Sequence, residues 1–168
     1  MININEYLLG KNKQPKTIYA TDKTLYRIVR DEIGKLGKDA DLNHIDVSEV
    51  KNFFYGLDWD DSKPDNILGL FEGTAFYGDV SGWDMTNAEI TTGMFQDCIK
   101  FNCDISYWNV ENIRRCNCMF KNCIAFRQNL SKWDMKGITK ENDKAWMFER
   151  CPIYYHNELQ PKFSNLYT

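Results

Sequence analysis

A 25-residue period governs the middle of this chain. Phe76, Asp79, Val80, Ser81 and Trp83 recur as Phe101, Asp104, Ile105, Ser106 and Trp108, and again as Phe126, Asn129, Leu130, Ser131 and Trp133. A second motif keeps the same step: Met94-Phe95 with Cys98 becomes Met119-Phe120 with Cys123. Its third copy, Met147-Phe148 with Cys151, comes 28 residues later, so the last unit carries a three-residue insertion. A degraded earlier copy runs from Asp41, with Ile45 in the Trp column and Leu70-Phe71 in the Met-Phe column. Repeats therefore span about residues 41–151.

A 25-residue unit cannot enclose its own apolar face, so neighbours must stack and close a shared core. The period lies within the ~20–29 residues of leucine-rich repeats. The expected fold class is thus an α/β repeat. It is a short leucine-rich-repeat-like solenoid of ~25-residue coils, with short strands plus short helical turns and an N-terminal capping helix. Val80, Trp83 and Met85 are expected near an extended segment, and Met-Phe-x-x-Cys in a helical turn. Expected boundaries are an N-terminal segment and capping helix at 1–40, the repeats at 41–151 and a C-terminal cap at 152–168.

Leu25, Ile28, Val29, Ile33 and Leu36 follow the helical period within residues 21–37, with Thr21 as N-cap, Asp22 at the positive end and Gly37 at the stop. This helix reads as a cap for the end of the repeats, against the alternative of a partner-binding helix. At the other end, Pro152 and Pro161 break the repeat, and Ile153, Tyr154, Tyr155, Leu159 and Phe163 are expected to cover the last unit.

Composition excludes some roles. A net charge of −3, with Arg114, Arg115 and Lys121 too few and too local, argues against nucleic acid. No apolar run reaches the ~18 residues of a membrane span, and the first ten residues do not read as a secretory signal. Six cysteines in a chain of 168 residues read better as free thiols of a reducing compartment than as a disulfide framework. The expected location is the cytoplasm of a bacterial host cell.

The pattern M-F-x-x-C-x-x-F-x-x-[DN]-[IL]-S-x-W-[DN]-[VM] resembles the BspA-like leucine-rich-repeat surface proteins. More narrowly, it is similar to the tryptophan-containing repeat of unknown function found in Mycoplasma lipoproteins, Bacteroidetes and their phages. The resemblance implies a protein-interaction scaffold, virion-associated if phage-encoded, and supplies no catalytic residues.

Candidate chemistry is sparse. The Cys98, Cys123 and Cys151 column and the nearby Cys116-Asn117-Cys118 lack paired zinc-ligand spacing. His44 falls in a column shared with Gly82, Tyr107 and Lys132 and is expected to face solvent; His156 has no motif around it. Residues 57–66 gather Asp58, Asp60, Asp61 and Asp65 about Trp59 without a calcium-loop pattern. The Trp column reads as core rather than a stacking platform. The expected function is a non-enzymatic protein–protein interaction module without a cofactor, acting inside a bacterial cell, or a phage-encoded component or inhibitor of a host factor. The alternative is a small-ligand or metal-binding protein using the thiols or the acidic 57–66 loop. Binding energy concentrates in Trp, Tyr and Arg, which singles out Trp59, Tyr107, Arg114 and Arg115, with Asp60 and Asp61 beside them.

Overall fold

The columns of like residues become columns of stacked rings. Phe71, Phe95, Phe120 and Phe148 lie in one row, with successive centroids 5.2, 5.6 and 5.6 Å apart and planes within 13°. Phe76, Phe101 and Phe126 form a second row, and Trp108 stacks on Trp133 at 6.3 Å. All these rings are buried. Each indole N–H also donates backward by one unit: Trp83 to the Leu42 carbonyl, Trp108 to that of Val80 and Trp133 to that of Ile105, at 3.0–3.2 Å. Trp suits the column because it fills the void and its buried N–H finds a carbonyl, each of which also accepts a backbone N–H within its own turn.

The computed structural model describes residues 16–55 and 68–166. Their regular elements are few. Strand β1 (Ile18–Tyr19) pairs in parallel with β2 (Ile45–Asp46), and β3 (Phe54–Tyr55) pairs antiparallel with β4 (Leu68–Gly69). Helix α1 (Leu25–Leu36) lies between β1 and β2 in sequence, and three single 3-10 turns follow residue 140.

This corrects the expected leucine-rich-repeat solenoid of short strands and helical turns. Among the described residues there is one α-helix and two small separate sheets, and no sheet or closed solenoid runs through the units. The chain is a compact globular fold around one apolar core.

The physical reason is backbone hand. Gly93, Cys118 and Trp146, each just before the Met, have φ of 62°, 55° and 55°. Asp97, Asn122 and Arg150, three residues after the Met, have φ of 62°, 59° and 55°. Left-handed residues four apart cannot sit in a right-handed helix. The Met-Phe-x-x-Cys step is therefore a run of turns, with Met94 N–H to Thr91 O, Gln96 N–H to Gly93 O and Cys98 N–H to Phe95 O.

The expected extended segment curls for a different reason. Asp79 accepts the Ser81 N–H, Asp104 that of Ser106 and Asn129 that of Ser131, at 2.8–3.0 Å. These side-chain turns compete with a strand ladder and win. Turn backbone then makes most of the joins between units, beside isolated parallel bridges at Asp41–Asp79, Asn52–Ile90 and Ile90–Arg115. The N–H groups of Gly93, Phe95 and Asp97 donate to the carbonyls of Asn117, Met119 and Lys121; those of Cys118, Phe120 and Asn122 donate to Ala145, Met147 and Glu149, all at 2.8–3.0 Å.

Helix α1 starts three residues later than expected. Thr24 occupies the N-cap without a side-chain capping bond, its hydroxyl accepting from the Thr21 N–H instead. Asp22 instead accepts from the backbone N–H groups of Lys51 and Asn52, tying the helix entrance to the first unit. Gly37 ends the helix with φ 101°, though its ψ of 174° lies outside the left-handed well. Leu25 and Val29 are buried, Ile28 and Ile33 half-buried, and Leu36 is exposed.

Glu32 takes an inward place, bonded to Lys35 Nζ at 2.7 Å and to His44 Nε2 at 3.0 Å. The His44 side chain is only 8% exposed, which corrects the expectation that it faces solvent. Arg30 donates to the Glu72 carbonyl at 2.7 Å, so α1 covers the first ring row.

At the C-terminal end, Leu130 N–H donates to Leu159 O, Lys162 N–H to Trp133 O and Met135 N–H to Lys162 O, each at 2.8 Å. The last segment thus seals the tryptophan side of the final unit. Ile153 is buried, but Tyr154 and Tyr155 are exposed and do not cap, contrary to expectation.

Candidate functional site

Besides an open groove of about 490 Å3 lined by Asp39, Asp79, Lys100, Cys103 and Asp104 among others, two clefts collect side chains that chemistry would use. The first, about 380 Å3, opens at the C-terminal edge of the phenylalanine row and is lined by Lys144, Trp146, Phe148, Arg150, Tyr154, Tyr155 and Phe163, among others. Its geometry follows from local sequence. Cys151 is followed by Pro152, whose fixed φ starts a 3-10 turn over Pro152–Tyr155. That turn sends Ile153 inward and both tyrosines outward, their rings edge to face at 5.2 Å and 89°. Gln160 Nε2 locks the turn by donating to the Ile153 and Tyr154 carbonyls, both at 3.0 Å.

Across the cleft, the left-handed conformation of Trp146 turns its indole away from the core, leaving it 66% exposed. Lys144 Nζ lies 5.1 Å from the Phe163 ring centre and 2.7 Å from Glu141. Glu149 on the rim is held by Lys121 at 2.8 Å. The result is an aromatic cleft with a basic rim.

The second cleft, about 360 Å3, is lined by Glu89, Arg114, Arg115, Thr139, Lys140 and Asp143, with Ile90 and Gly137. It brings together Glu89, Arg114 and Thr139, three residues of one repeat column. Most of its charges are paired. Glu89 meets Lys51 at 2.9 Å and Arg114 at 3.6 Å, while Arg115 Nε lies 3.5 Å from Asp143. The exposed pairs at Glu89 contribute ~0–1 kcal/mol each, and with Lys140 on the lining the cleft is net basic.

The residues singled out from sequence are thus scattered. Arg114 and Arg115 share the second cleft. Tyr107 is 80% exposed elsewhere, with Lys132 Nζ 5.3 Å from its ring centre, and lines neither cleft. Trp59, Asp60 and Asp61 lie outside the described residues. Trp146 and Arg150 were missed, although a signal existed: Trp146 fills a column otherwise held by the small residues Gly93 and Cys118.

The thiols are poorly suited to ligation. Burial pushes Cys98 up to about 12 and Cys103 and Cys151 up to about 11, and raises Cys116, Cys118 and Cys123 as well. All six are free. Cys98 and Cys123 donate to the Phe71 and Phe95 carbonyls, one unit back. Among the described residues no three His, Cys, Asp or Glu side chains group to hold an ion, and no helix is long and apolar enough to cross a membrane. His156 is paired with Glu158 at 3.0 Å on the exposed C-terminal segment.

Comparison with curated proteins and with solved structures finds no match. A family model described as "Mycoplasma protein of unknown function, DUF285" matches residues 38–159, which takes in all the ring-bearing units and the 3-10 turn beneath the aromatic cleft. The chain belongs to this DUF285 family of Mycoplasma proteins of unknown function.

Proposed function

We propose that this protein is a non-enzymatic protein-binding module whose partner seats in the C-terminal aromatic cleft. The observation that carries the reading is the exposure of Trp146, Tyr154 and Tyr155, at 66%, 57% and 81%, around one concavity. Interface energy concentrates in Trp, Tyr and Arg that fill pockets, and this cleft supplies all three types. Tyr107 and the Arg114–Arg115 cleft serve as secondary contacts at most, because the arginines already meet carboxylates.

The Ser-x-Trp pattern supports a finer kinship with the BspA-like proteins. The Mycoplasma family supports a bacterial setting; action inside the cell, or as a phage-encoded component, is part of the proposal, and fractionation of the host would check it. The ligand-binding alternative gains nothing from the raised, buried thiols.

The test is partner recovery followed by affinity measurement. Proteins captured from bacterial lysate on the immobilised chain are purified and titrated against wild type, Trp146→Gly and Tyr107→Ala. Trp146→Gly is expected to weaken binding by ~2 kcal/mol or more, as a hot spot does. Full affinity in Trp146→Gly alongside loss in Tyr107→Ala would move the interface. Stoichiometric zinc or calcium by elemental analysis would instead favour the ligand-binding alternative.

A further inference from the structure

We infer that the edge formed by Trp146, Phe148 and Arg150 is a backbone docking site for an acidic peptide segment of the partner. This inference rests on the protein-binding reading and gives the partner a chemistry.

The argument begins with hydrogen bonds that stop. In one unit, Gly93, Phe95 and Asp97 donate their N–H groups to the next unit; in that unit, Cys118, Phe120 and Asn122 do the same. The third set in this register is Trp146, Phe148 and Arg150. Their N–H groups meet no acceptor among the described residues. The backbone there is already in the donating conformation, since Trp146 and Arg150 repeat the left-handed φ of Cys118 and Asn122. Among the described residues the C-terminal segment makes its backbone bonds to Leu130, Trp133 and Met135 and none to this row, although Gln160 and Phe163 line the cleft beside it.

The edge is one-sided. The carbonyls of Ala145, Met147 and Glu149 already accept from the preceding unit, and those of Trp146 and Phe148 accept within their own turns. A β-strand edge alternates donors and acceptors, but this one presents three donors, with the Arg150 carbonyl the one acceptor left without a partner among the described residues, because Pro152 has no N–H to give it. Two copies of the chain meeting edge to edge would set donors against donors. The far end of the ring row offers no easy counterpart, since α1 covers it through Arg30. The complement must bring acceptors two residues apart. A polypeptide supplies them as alternate carbonyls, as Ala145, Met147 and Glu149 do for the unit before.

Charge and shape select among polypeptides. Lys144 and Arg150 stand on the rim, and Arg150 has no ion pair among the described residues, whereas the one lining carboxylate, Glu149, is paired with Lys121. Carboxylates beside the docked carbonyls would meet Arg150. Trp146 on one side and Tyr154 on the other admit an apolar side chain between them. Main-chain bonds then supply affinity, and alternate side chains supply choice.

The experiment uses blocked nine-residue peptides with the sequence of residues 143–151, the segment that itself docks on the preceding unit. In the acidic probe Lys144 and Arg150 are replaced by Glu; in the control Asp143 and Glu149 are replaced by Lys. The full chain is followed by amide hydrogen exchange and nitrogen-resolved NMR. The acidic probe is expected to slow exchange at Trp146, Phe148 and Arg150 by about tenfold or more at saturation, while Met147 and Glu149, already bonded, change little. The control probe is expected to bind at least about tenfold more weakly, and Arg150→Glu in the protein to reverse that order. Binding without any change at the three amides would overturn the backbone docking while leaving the protein-binding reading intact. Equal shifts with sodium acetate alone would also overturn it, by showing an anion pocket. If the natural partner, once recovered, binds Trp146→Gly with full affinity, the broader reading fails instead.

Discussion

The two ends of the ring rows face the same problem and answer it differently. At the N-terminal end, α1 lies over the first unit. Leu25 and Val29 fill the apolar gap, Arg30 satisfies the Glu72 carbonyl, and Asp22 fastens the entrance through Lys51 and Asn52. At the C-terminal end, residues 159–162 satisfy only the Leu130–Met135 side. Among the described residues, the Trp146–Arg150 side keeps its donors and its exposed aromatics. A capped end contributes stability, and an uncapped end keeps unspent contacts. Terminal units are where such a chain must choose between the two.

The interior sets the scale for breaking this contrast. Trp108→Ala removes a buried ring and a backward hydrogen bond at once, so thermal or denaturant unfolding is expected to show a loss of ~3–5 kcal/mol. An unchanged midpoint would mean that the rows do not carry the fold. At the capped end, Leu25→Ala is expected to cost ~2–4 kcal/mol by the same measurement.

At the open end the expectation reverses. Trp146→Gly takes an exposed ring off a left-handed backbone, so stability should hold or rise by up to ~1 kcal/mol while partner binding falls. A large destabilisation there would show that the cleft is structural and erase the distinction between the ends.

Thiol reactivity sharpens the same map. With Cys98 held up to about 12 by burial and Cys123 raised further, alkylation at pH 8 is expected to mark them only after unfolding, read by intact mass.

The smallest effect is the capped end's share of the pH dependence. The Lys35 hydrogen bond, and then His44, hold the Glu32 carboxyl below its ordinary value against the opposing effect of burial. A depressed carboxylate contributes stability that is complete above its unfolded value, ~4.3, and lost as pH falls through the folded value. Glu32→Gln should therefore flatten the stability difference between pH 6 and pH 3, and an unchanged slope would remove this pair from the capping account.

The core was legible because burial depends on residue type at a fixed register. Phe, Trp, Met and Cys columns could be assigned inward from spacing alone, and they are inward. Conformation was not legible in the same way. A left-handed Gly93 is unsurprising, but its column mates are Cys118 and Trp146, neither of which announces a positive φ. The helical turn expected at Met-Phe-x-x-Cys failed on those residues. The Asp-x-Ser pattern did carry a readable turn signal, at odds with the extended segment expected near Val80, Trp83 and Met85. His44 turned inward because its partner, Glu32, arrives from a helix that the repeat register does not include. Of the site, exposure at Tyr107 and Arg114 was foreseeable, but the pairing of Arg114 and Arg115 with carboxylates across units was not. The aromatic cleft escaped notice because Tyr154 and Tyr155 looked like cover for the last unit.

The bonds between units have an electrical consequence. The peptide group joining Asn117 to Cys118 accepts from Gly93 at its oxygen and donates to Ala145 at its nitrogen; the next group in that file ends at Trp146. The files through Phe95–Phe120 and Asp97–Asn122 run the same way and end at Phe148 and Arg150. In a β-sheet such dipoles alternate and cancel, but head-to-tail peptide dipoles of ~3.5 D add, as they do along a helix. Here they add across the units, so a chain of net charge −3 presents the positive pole of three parallel files at one edge. An anionic segment would feel that pole before touching it, and association there should slow as salt is raised.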